Sequence, residues 1–571
     1  MPRQSPSKHA ALSLLLAIAL GLGACGGKSA SPGSGGPSAD DPPKFAAAKD
    51  GLYCNIAEEA GLQDQAFFGR GVSFSDVDLD GDDDVFVANT DGRKTENFGT
   101  SAFYLNDGAG RYERKDVGFN VDDLYATWGA SFADYDNDGD PDALITNGGY
   151  TGQSNVALYR NEMRKSGRFV DVSDPSGISA AFPERQYWAS AWDDYDGDGQ
   201  VDFVVVSLGD PIKVMHNDGD GNFSDATAAL GIADPHVDAH NPVWFDYDGD
   251  SDRDLFIPDM EFVTNHSQLY ENRVREGGGF ANVTAQKLGP AFAEAPGVFA
   301  AAAADFNQDG LDDIFLGRWS LQDLVLVSHG KGPFSIHGKD IGLDKHTSPI
   351  TLDNRADQNE NSMGLNAANF DGNGVKVFMG TGNPEFAFED IVWCSKPDPS
   401  NPAGFVLERC SEPFVKGQGA TFGHGMAFSD TDRDGDTDIV WAHGGHPERG
   451  EKQSTGEVRQ WTSYFESRTD AGLHTASVFL VGDRSGTDAF GARIKSTTDG
   501  VAHFDAVRTM HGFSSQNSKW LVIDTGKSGV ADLEVAWPSG NTTRAQVRVQ
   551  TSNILHEDGG VESSPRNKWG G

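Results

Sequence analysis

One acidic motif recurs seven times along this chain and constrains the fold more than any other feature. It reads DVDLDGDDD from Asp76, DYDNDGDPD from Asp134, DYDGDGQVD from Asp194, DYDGDSDRD from Asp246, DFNQDGLDD from Asp305 and DTDRDGDTD from Asp430. A degraded copy, NFDGNGVKV, starts at Asn369. In chain order the starts are 58, 60, 52, 59, 64 and 61 residues apart. Such a period marks a repeat architecture, in which each unit buries its apolar face only against its neighbours. Each copy follows a short run of small and aromatic residues (GVSFS, GASFA, ASAWD, NPVWF, AAAAA, GLNAA, GMAFS) and precedes a β-rich run (VFVAN, ALITN, FVVVS, LFIPD, IFLGR, VFMGT, IVWAH). Short Val-, Ile- and Phe-rich runs bounded by Gly and Asp read as strands. Further on, FYLNDGAGRY, ALYRNEMRKSGRF, KVMHNDGDGNF and QLYENRVREGGGF read as another strand and turn. A unit of this length holds about four short strands, which is one propeller blade. The expectation is an all-β chain: a seven-bladed β-propeller followed by a small C-terminal β domain. A solenoid would need atypical capping repeats at its ends, yet the first and last loops here are among the best copies.

The loops have the composition of a cation cage. Positions 1, 3, 5 and 9 supply Asp76, Asp78, Asp80 and Asp84; Asp134, Asp136, Asp138 and Asp142; Asp194, Asp196, Asp198 and Asp202; Asp246, Asp248, Asp250 and Asp254; Asp305, Asn307, Asp309 and Asp313; and Asp430, Asp432, Asp434 and Asp438. Hard cations such as Ca²⁺ take six to eight oxygens from such groups, whereas Mg²⁺ prefers water and strict octahedral geometry. Two like charges about 4 Å apart near a protein surface repel by up to about 4 kcal/mol, so uncompensated loops are costly. About six Ca²⁺ sites are expected. An EF-hand would place Glu at position 12; the residues there are Val87, Ile145, Val205, Ile257, Leu316 and Trp441. The Asn369 loop, with Val377 at position 9, is expected to bind weakly or not at all. Ser251, in place of the usual Gly at position 6, is expected to strain its turn.

Acidic residues number 86 against 45 basic ones, a formal net charge of -41. That excess argues against nucleic acid as a partner and against electrostatic docking on anionic lipid. Arg3 and Lys8 precede a short apolar run ending at Leu22-Gly23-Ala24-Cys25. It has the form of a secretory signal, and the last four residues resemble a bacterial lipobox. Residues 1–24 are therefore expected to be a signal peptide, Cys25 the lipidated residue, and 25–50 a flexible Gly/Ser/Pro tether. The resulting expectation is an exported protein, lipid-anchored to the bacterial envelope at the outer membrane or cell surface, touching the membrane through that anchor only. In an oxidising compartment Cys394 and Cys410 are expected to pair, leaving Cys54 as a free thiol.

The loops and their flanks resemble the FG-GAP repeats of integrin α subunits and the related bacterial VCBS repeats. The resemblance implies that position 7 (Asp82, Asp140, Gln200, Asp252, Leu311 and Asp436) contributes a backbone carbonyl to the cation. Toward the C-terminus, DAFGARI at 488–494, HGFSSQNS at 511–518 and LEVAWPSG at 533–540 resemble the ASPIC/UnbV domain of the cartilage acidic protein family. The expected organisation is a propeller over 51–468, an ASPIC/UnbV-like domain over 469–560 and a disordered tail over 561–571. The resemblance implies an extracellular, calcium-binding, adhesive module with an unidentified protein or glycan ligand and no catalytic residues.

The alternative is an exported hydrolase or lyase acting on a polymer. His236 and His240, and His424, His443 and His446, are the groups it could use. No G-x-S-x-G elbow, Walker A loop or H-E-x-x-H is present. Trp128, Trp188, Trp192, Trp244 and Trp319 are expected in the core rather than on a ligand face.

Overall fold

The computed structural model describes residues 53–62, 69–89, 101–120, 127–148, 155–209, 211–232, 238–261, 265–319, 321–343, 362–369, 374–383, 386–410, 420–421, 423–444, 462–467 and 474–566. These residues form nine β-sheets, seven of which each carry one acidic repeat between their first two strands. Blades 1 to 7 are named here in the order of those repeats. Their first strands are Gly69–Ser75, Thr127–Ala133, Tyr187–Asp193, Val243–Phe245, Val298–Ala304, Ser362–Ala368 and Gly423–Ser429. Each touches the first strand of the next blade, and the last touches the first, so the series closes on itself.

These innermost strands are almost wholly buried and rich in Gly, Ala and Ser. Small side chains let seven strands converge on one axis, while the aromatic residues fill the wedges between blades. Phe86, Phe103, Phe119, Phe132, Tyr159 and Phe169 make one such wedge between blades 1 and 2. Trp128, Trp188, Trp192 and Trp244 are buried, and Trp319 packs partly buried against the cluster that holds Trp128 and Trp188.

Closure uses both ends of the propeller sequence. The outer strand of blade 7 is Tyr53–Asn55, paired antiparallel with Ser463–Ser467, with Cys54 opposite Glu466. A ring sealed in this way leaves no inner sheet edge to recruit another chain. Cys394 and Cys410, on adjacent strands of blade 6, form a disulfide with Cα atoms 5.9 Å apart. Cys54 corrects the expectation of a free thiol: it is buried and disulfide-bonded, with a partner outside the described residues. Cys25, His236 and His446 also lie outside them.

The C-terminal region folds as two four-stranded sheets. One comprises Thr475–Val481, Leu521–Asp524, Thr551–His556 and Val561–Pro565; the other comprises Arg493–Thr498, Val501–Ala506, Val530–Ala536 and Thr542–Arg548. Val478, Leu480, Ile494, Leu533, Val535 and Trp537 fill the space between them. Val561–Pro565 corrects the expectation of a disordered tail from 561. It pairs with Thr551–Leu555 as an edge strand, and the Arg566 side chain behind it reaches the blade 7 loop.

This domain sits on the loop face of the propeller, and one of its segments enters the central channel. Residues 510–518 lie between Val501–Ala506 and Leu521–Asp524 and run down inside the ring. Ser518 N–H donates to Phe428 O at 2.9 Å near the loop end. Deeper, Gln516 N–H donates to Val72 O (3.0 Å) and Phe74 N–H to Gln516 O (3.0 Å). The Gln516 amide also bridges the Phe132 N–H (2.7 Å) and carbonyl (2.9 Å). Deepest, the Ser514 hydroxyl donates to Trp188 O at 3.0 Å, and the Phe513 ring stacks on Phe299. The plug fits because the strands around it lack side chains there. A Cβ on Gly71 would lie 1.9 Å from Ser514 O, and one on Gly425 would lie 2.4 Å from Ser515 Oγ.

Candidate metal centres

The six intact loops share one backbone solution. Position 1 accepts hydrogen bonds from the N–H groups ahead of it: Asp134 from Asp138 and Gly139 (2.9 Å each), Asp305 from Asp309 (3.1 Å) and Gly310 (2.8 Å). Position 5 accepts the N–H of position 7, as Asp198 does from Gln200 at 2.8 Å. Positions 4 and 6 have positive φ, for example Leu79 at 59° and Gly81 at 96°. Ser251 takes φ 73° at position 6, a region that disfavours a Cβ, so the strain expected of this turn has its geometric basis.

The turn brings the carboxylates together. Asp76, Asp78 and Asp84, and likewise Asp134, Asp136 and Asp142, each present one oxygen within 4.8 Å of the others in their set. Several buried oxygens have no hydrogen-bond partner: Oδ1 of Asp136 and Asp248 at position 3, Oδ1 of Asp82, Asp140 and Asp252 at position 7, and Oδ2 of Asp202 at position 9. Orphaned buried carboxylate oxygens are costly and need an explanation; a bound divalent cation supplies one. Position 7 therefore offers a side-chain oxygen in these three loops as well as the carbonyl expected of it. Burial, followed by the charges of Asp83 and Asp80, pushes the Asp76 carboxyl up to about 7. Burial also lifts Asp194 and Asp305 to about 7 and Asp84 to about 9.

Position 9 does more than face the cage. It is the first residue of the second strand, and its Oδ1 accepts the N–H of a buried Asn on the third strand, or of a Ser just past it: Asn106 for Asp84 (2.9 Å), Asn161 for Asp142 (2.7 Å), Asn217 for Asp202 (2.8 Å), Asn272 for Asp254 (3.0 Å) and Ser328 for Asp313 (2.8 Å). The same residue reaches back to the carbonyl at position 2 of the preceding blade. Asn161 Nδ2 donates to Val77 O (2.8 Å), Asn217 to Tyr135 O (2.9 Å) and Asn272 to Tyr195 O (2.8 Å). Asn106 closes the ring by donating to Thr431 O of blade 7 at 2.9 Å. Sequence reasoning passed over these residues, although the signal is the Asn shared by FYLN, LYRN, VMHN and LYEN. Asn161→Ala strands the Val77 carbonyl between blades and is expected to cost about 1–3 kcal/mol in urea unfolding; an unchanged midpoint would deny the latch.

The sixth loop departs from the others in length. Ala368 pairs with Lys376, whereas Ser75 pairs with Asp84, so the blade 6 loop is one residue shorter. The position 9 equivalent is therefore Lys376 rather than Val377. Lys376 is buried, and its ammonium donates to Gly374 O at 3.3 Å. A fixed cation stands where the other loops place a carboxylate. Asp371 and Asn373 lie outside the described residues.

The C-terminal domain engages the loops directly. Arg493 pairs with Asp246 at 2.7 Å and also contacts the Gly310 carbonyl. The Thr487 hydroxyl donates to Asp134 at 2.6 Å, and Arg566 lies 3.9 Å from Asp430. The candidate histidines among the described residues are enclosed. His240 is 2% exposed, with its ring 3.8 Å from Trp188 and 3.9 Å from Phe299. Burial, then the charge of Arg70, holds its pKa well below the usual value. His424 contacts Arg70 beneath Phe513, and burial pushes His443 down to about 3.

The FG-GAP-like repeat family matches residues 76–145 and 194–257, and the ASPIC and UnbV family matches 482–560. Cartilage acidic protein 1 of Xenopus tropicalis is 27% identical over 173 residues, 29% of this chain and 25% of that protein. The Mus musculus protein is 28% identical over 174 residues, again 29% of this chain and 25% of its own length. The match thus spans a quarter of each curated relative. Among solved structures, BBS1N in complex with ARL6DN (TM-score 0.38, 8% identity, 73% of this chain and 98% of that one) and an exotype rhamnogalacturonan lyase (TM-score 0.37, 10% identity, 73% and 76%) are similar. These likenesses say nothing of this chain's chemistry. The chain thus carries FG-GAP-like repeats on its blades and an ASPIC and UnbV domain seated upon them.

Proposed function

We propose that the protein is a calcium-binding, extracytoplasmic binding module without catalytic activity. The observation that supports the metal most directly is the set of buried, unpartnered carboxylate oxygens in the loops. Bound Ca²⁺ would offset carboxylate repulsion and stiffen the platform on which Arg493, Thr487 and Arg566 seat the C-terminal domain. An unidentified protein or glycan is the expected ligand. Against a polymer-acting hydrolase or lyase stands the enclosure of His240, His424 and His443.

Calorimetric titration of Ca²⁺ into the chelator-stripped full chain is expected to give about six bound ions and a raised Tm. Each site contributes about 2.7 kcal/mol at a hundredfold excess over its Kd. Fewer than two ions with no shift in Tm would remove the metal from the reading.

Without metal, pH should act in an unusual direction. Asp76, Asp194 and Asp305 hold protons up to about 7 and Asp84 up to about 9 in the folded chain, whereas in the unfolded chain they release them near 3.9. The stability these groups contribute is complete below the unfolded pKa and is lost as pH rises through 7 to 9. In chelator, Tm is expected to fall between pH 5 and 8, and excess Ca²⁺ to abolish that fall. A metal-free Tm that rises over this interval would contradict it.

A further inference from the structure

We propose that the blade 3 loop is a mixed nitrogen–oxygen site for a divalent transition-metal ion, with His216 as a ligand beside Asp194, Asp196, Asp198 and Asp202. This rests on the reading that the acidic loops hold divalent cations, and it assigns one loop to a different metal class. His216 lies on the third strand, Lys213–Gly219, one step beyond the Phe203–Met215 pair and therefore level with Asp202. The level positions in blades 1, 2, 4, 5 and 7 hold Leu105, Arg160, Glu271, Val327 and Glu466. Among these six, His216 alone has a nitrogen lone pair to give a metal.

The geometry is compact. His216 Nδ1 is 3.1 Å from Asp202 Oδ1 and 3.6 Å from Asp196 Oδ2. One ligand atom each from Asp196, Asp202 and His216 lie within 4.8 Å of one another, as do those of Asp194, Asp196 and Asp198. Independently of the cluster, the Asp202 side chain is 0% exposed and its Oδ2 has no partner. The imidazole is 29% exposed, which leaves an approach from solvent. Arg275, whose guanidinium lies beside Gly197, donates to Pro538 O at 2.8 Å on the C-terminal domain. Ca²⁺ takes oxygen ligands, while imidazole suits zinc, copper, iron and nickel. A cage with one imidazole and several carboxylates therefore favours the transition metal.

A second group, Asp259, Glu261 and His266, supplies the control. Both Asp259 oxygens already accept backbone N–H groups, from Asp238 and His266.

The test uses the full, untagged chain saturated with Ca²⁺ and titrated with Co²⁺. One equivalent is expected to bind with a visible absorption band and to be displaced by Zn²⁺. His216→Leu, the residue blade 1 carries at this level, should weaken Co²⁺ binding by more than about tenfold while the other loops keep their Ca²⁺. His216→Glu, the blade 4 residue, should return the loop to calcium. Absence of a one-equivalent Co²⁺ site overturns the proposal, as does a band that survives both substitutions or is lost with His266→Ala. The Ca²⁺ stoichiometry is read in the same experiment, so failure of the general calcium reading shows separately from failure at this loop.

Discussion

Gly512→Ala is expected to expel the channel plug and to lower the unfolding free energy by about 3 kcal/mol. Two effects add at this residue. Its φ is 80°, where an L side chain costs about 1–2 kcal/mol. A Cβ there would also meet the Leu365 carbonyl oxygen at 1.4 Å, and that oxygen belongs to the inner strand of blade 6, which its own ring neighbours hold in place. The plug is the part able to yield. Its withdrawal strands the N–H groups of Phe74, Phe132 and Phe428, which donate to Gln516 O, Gln516 Oε1 and Asn517 Oδ1. Hydrogen exchange at these three amides should accelerate together, and guanidinium unfolding should report the loss. Wild-type protection at all three would mean that the plug does not hold the channel as described.

Arg508→Ala is expected to destabilise the protein by about 3–5 kcal/mol. The guanidinium is buried between the domains, 2.6 Å from Asp312 of blade 5 and 2.8 Å from Asp505. Burial pushes the Asp312 carboxyl up, but Arg508, Arg493 and Arg253 more than offset this and hold it below its usual range. Truncation leaves a buried carboxylate without its closest cation, the situation in which a broken ion pair costs far more than the intact pair contributes. The double variant Arg508→Met, Asp312→Leu should recover most of the loss, because an apolar pair of similar volume escapes the desolvation penalty. Denaturant unfolding of Arg508→Met, Asp312→Leu and the double variant closes a mutant cycle. Additive losses would show that Arg508 acts through something other than Asp312.

What was legible in the chain is what fits inside a short window. Nine residues with acids at alternate positions, and glycine at most sixth positions, specify a turn that collects carboxylates. The apolar runs on either side specify strands, and the near-constant period specifies repetition. Position 9 was legible as a candidate ligand but not as the anchor of an inter-blade latch, because its partner Asn lies 15 to 22 residues on and that residue's second partner lies in the blade before. The blade 6 loop misled for a similar reason. Aligned by letters it ends at Val377, whereas strand pairing ends it at Lys376.

The sequence by itself determined the units: strand, acidic loop, strand, seven times over, followed by a separate β domain. Those units rest on local forces, namely alternation of apolar side chains, left-handed turn positions and the mutual repulsion of nearby carboxylates. Only the tertiary structure decided that the second domain covers the loop face and that its Gly-Phe-Ser-Ser-Gln-Asn-Ser segment fills the channel. Ser515 and Val72 are 443 residues apart, and Gln516 meets Phe132 across 384. Contacts at such separations depend on where seven small-residue strands converge, a property of the closed ring that no single repeat contains.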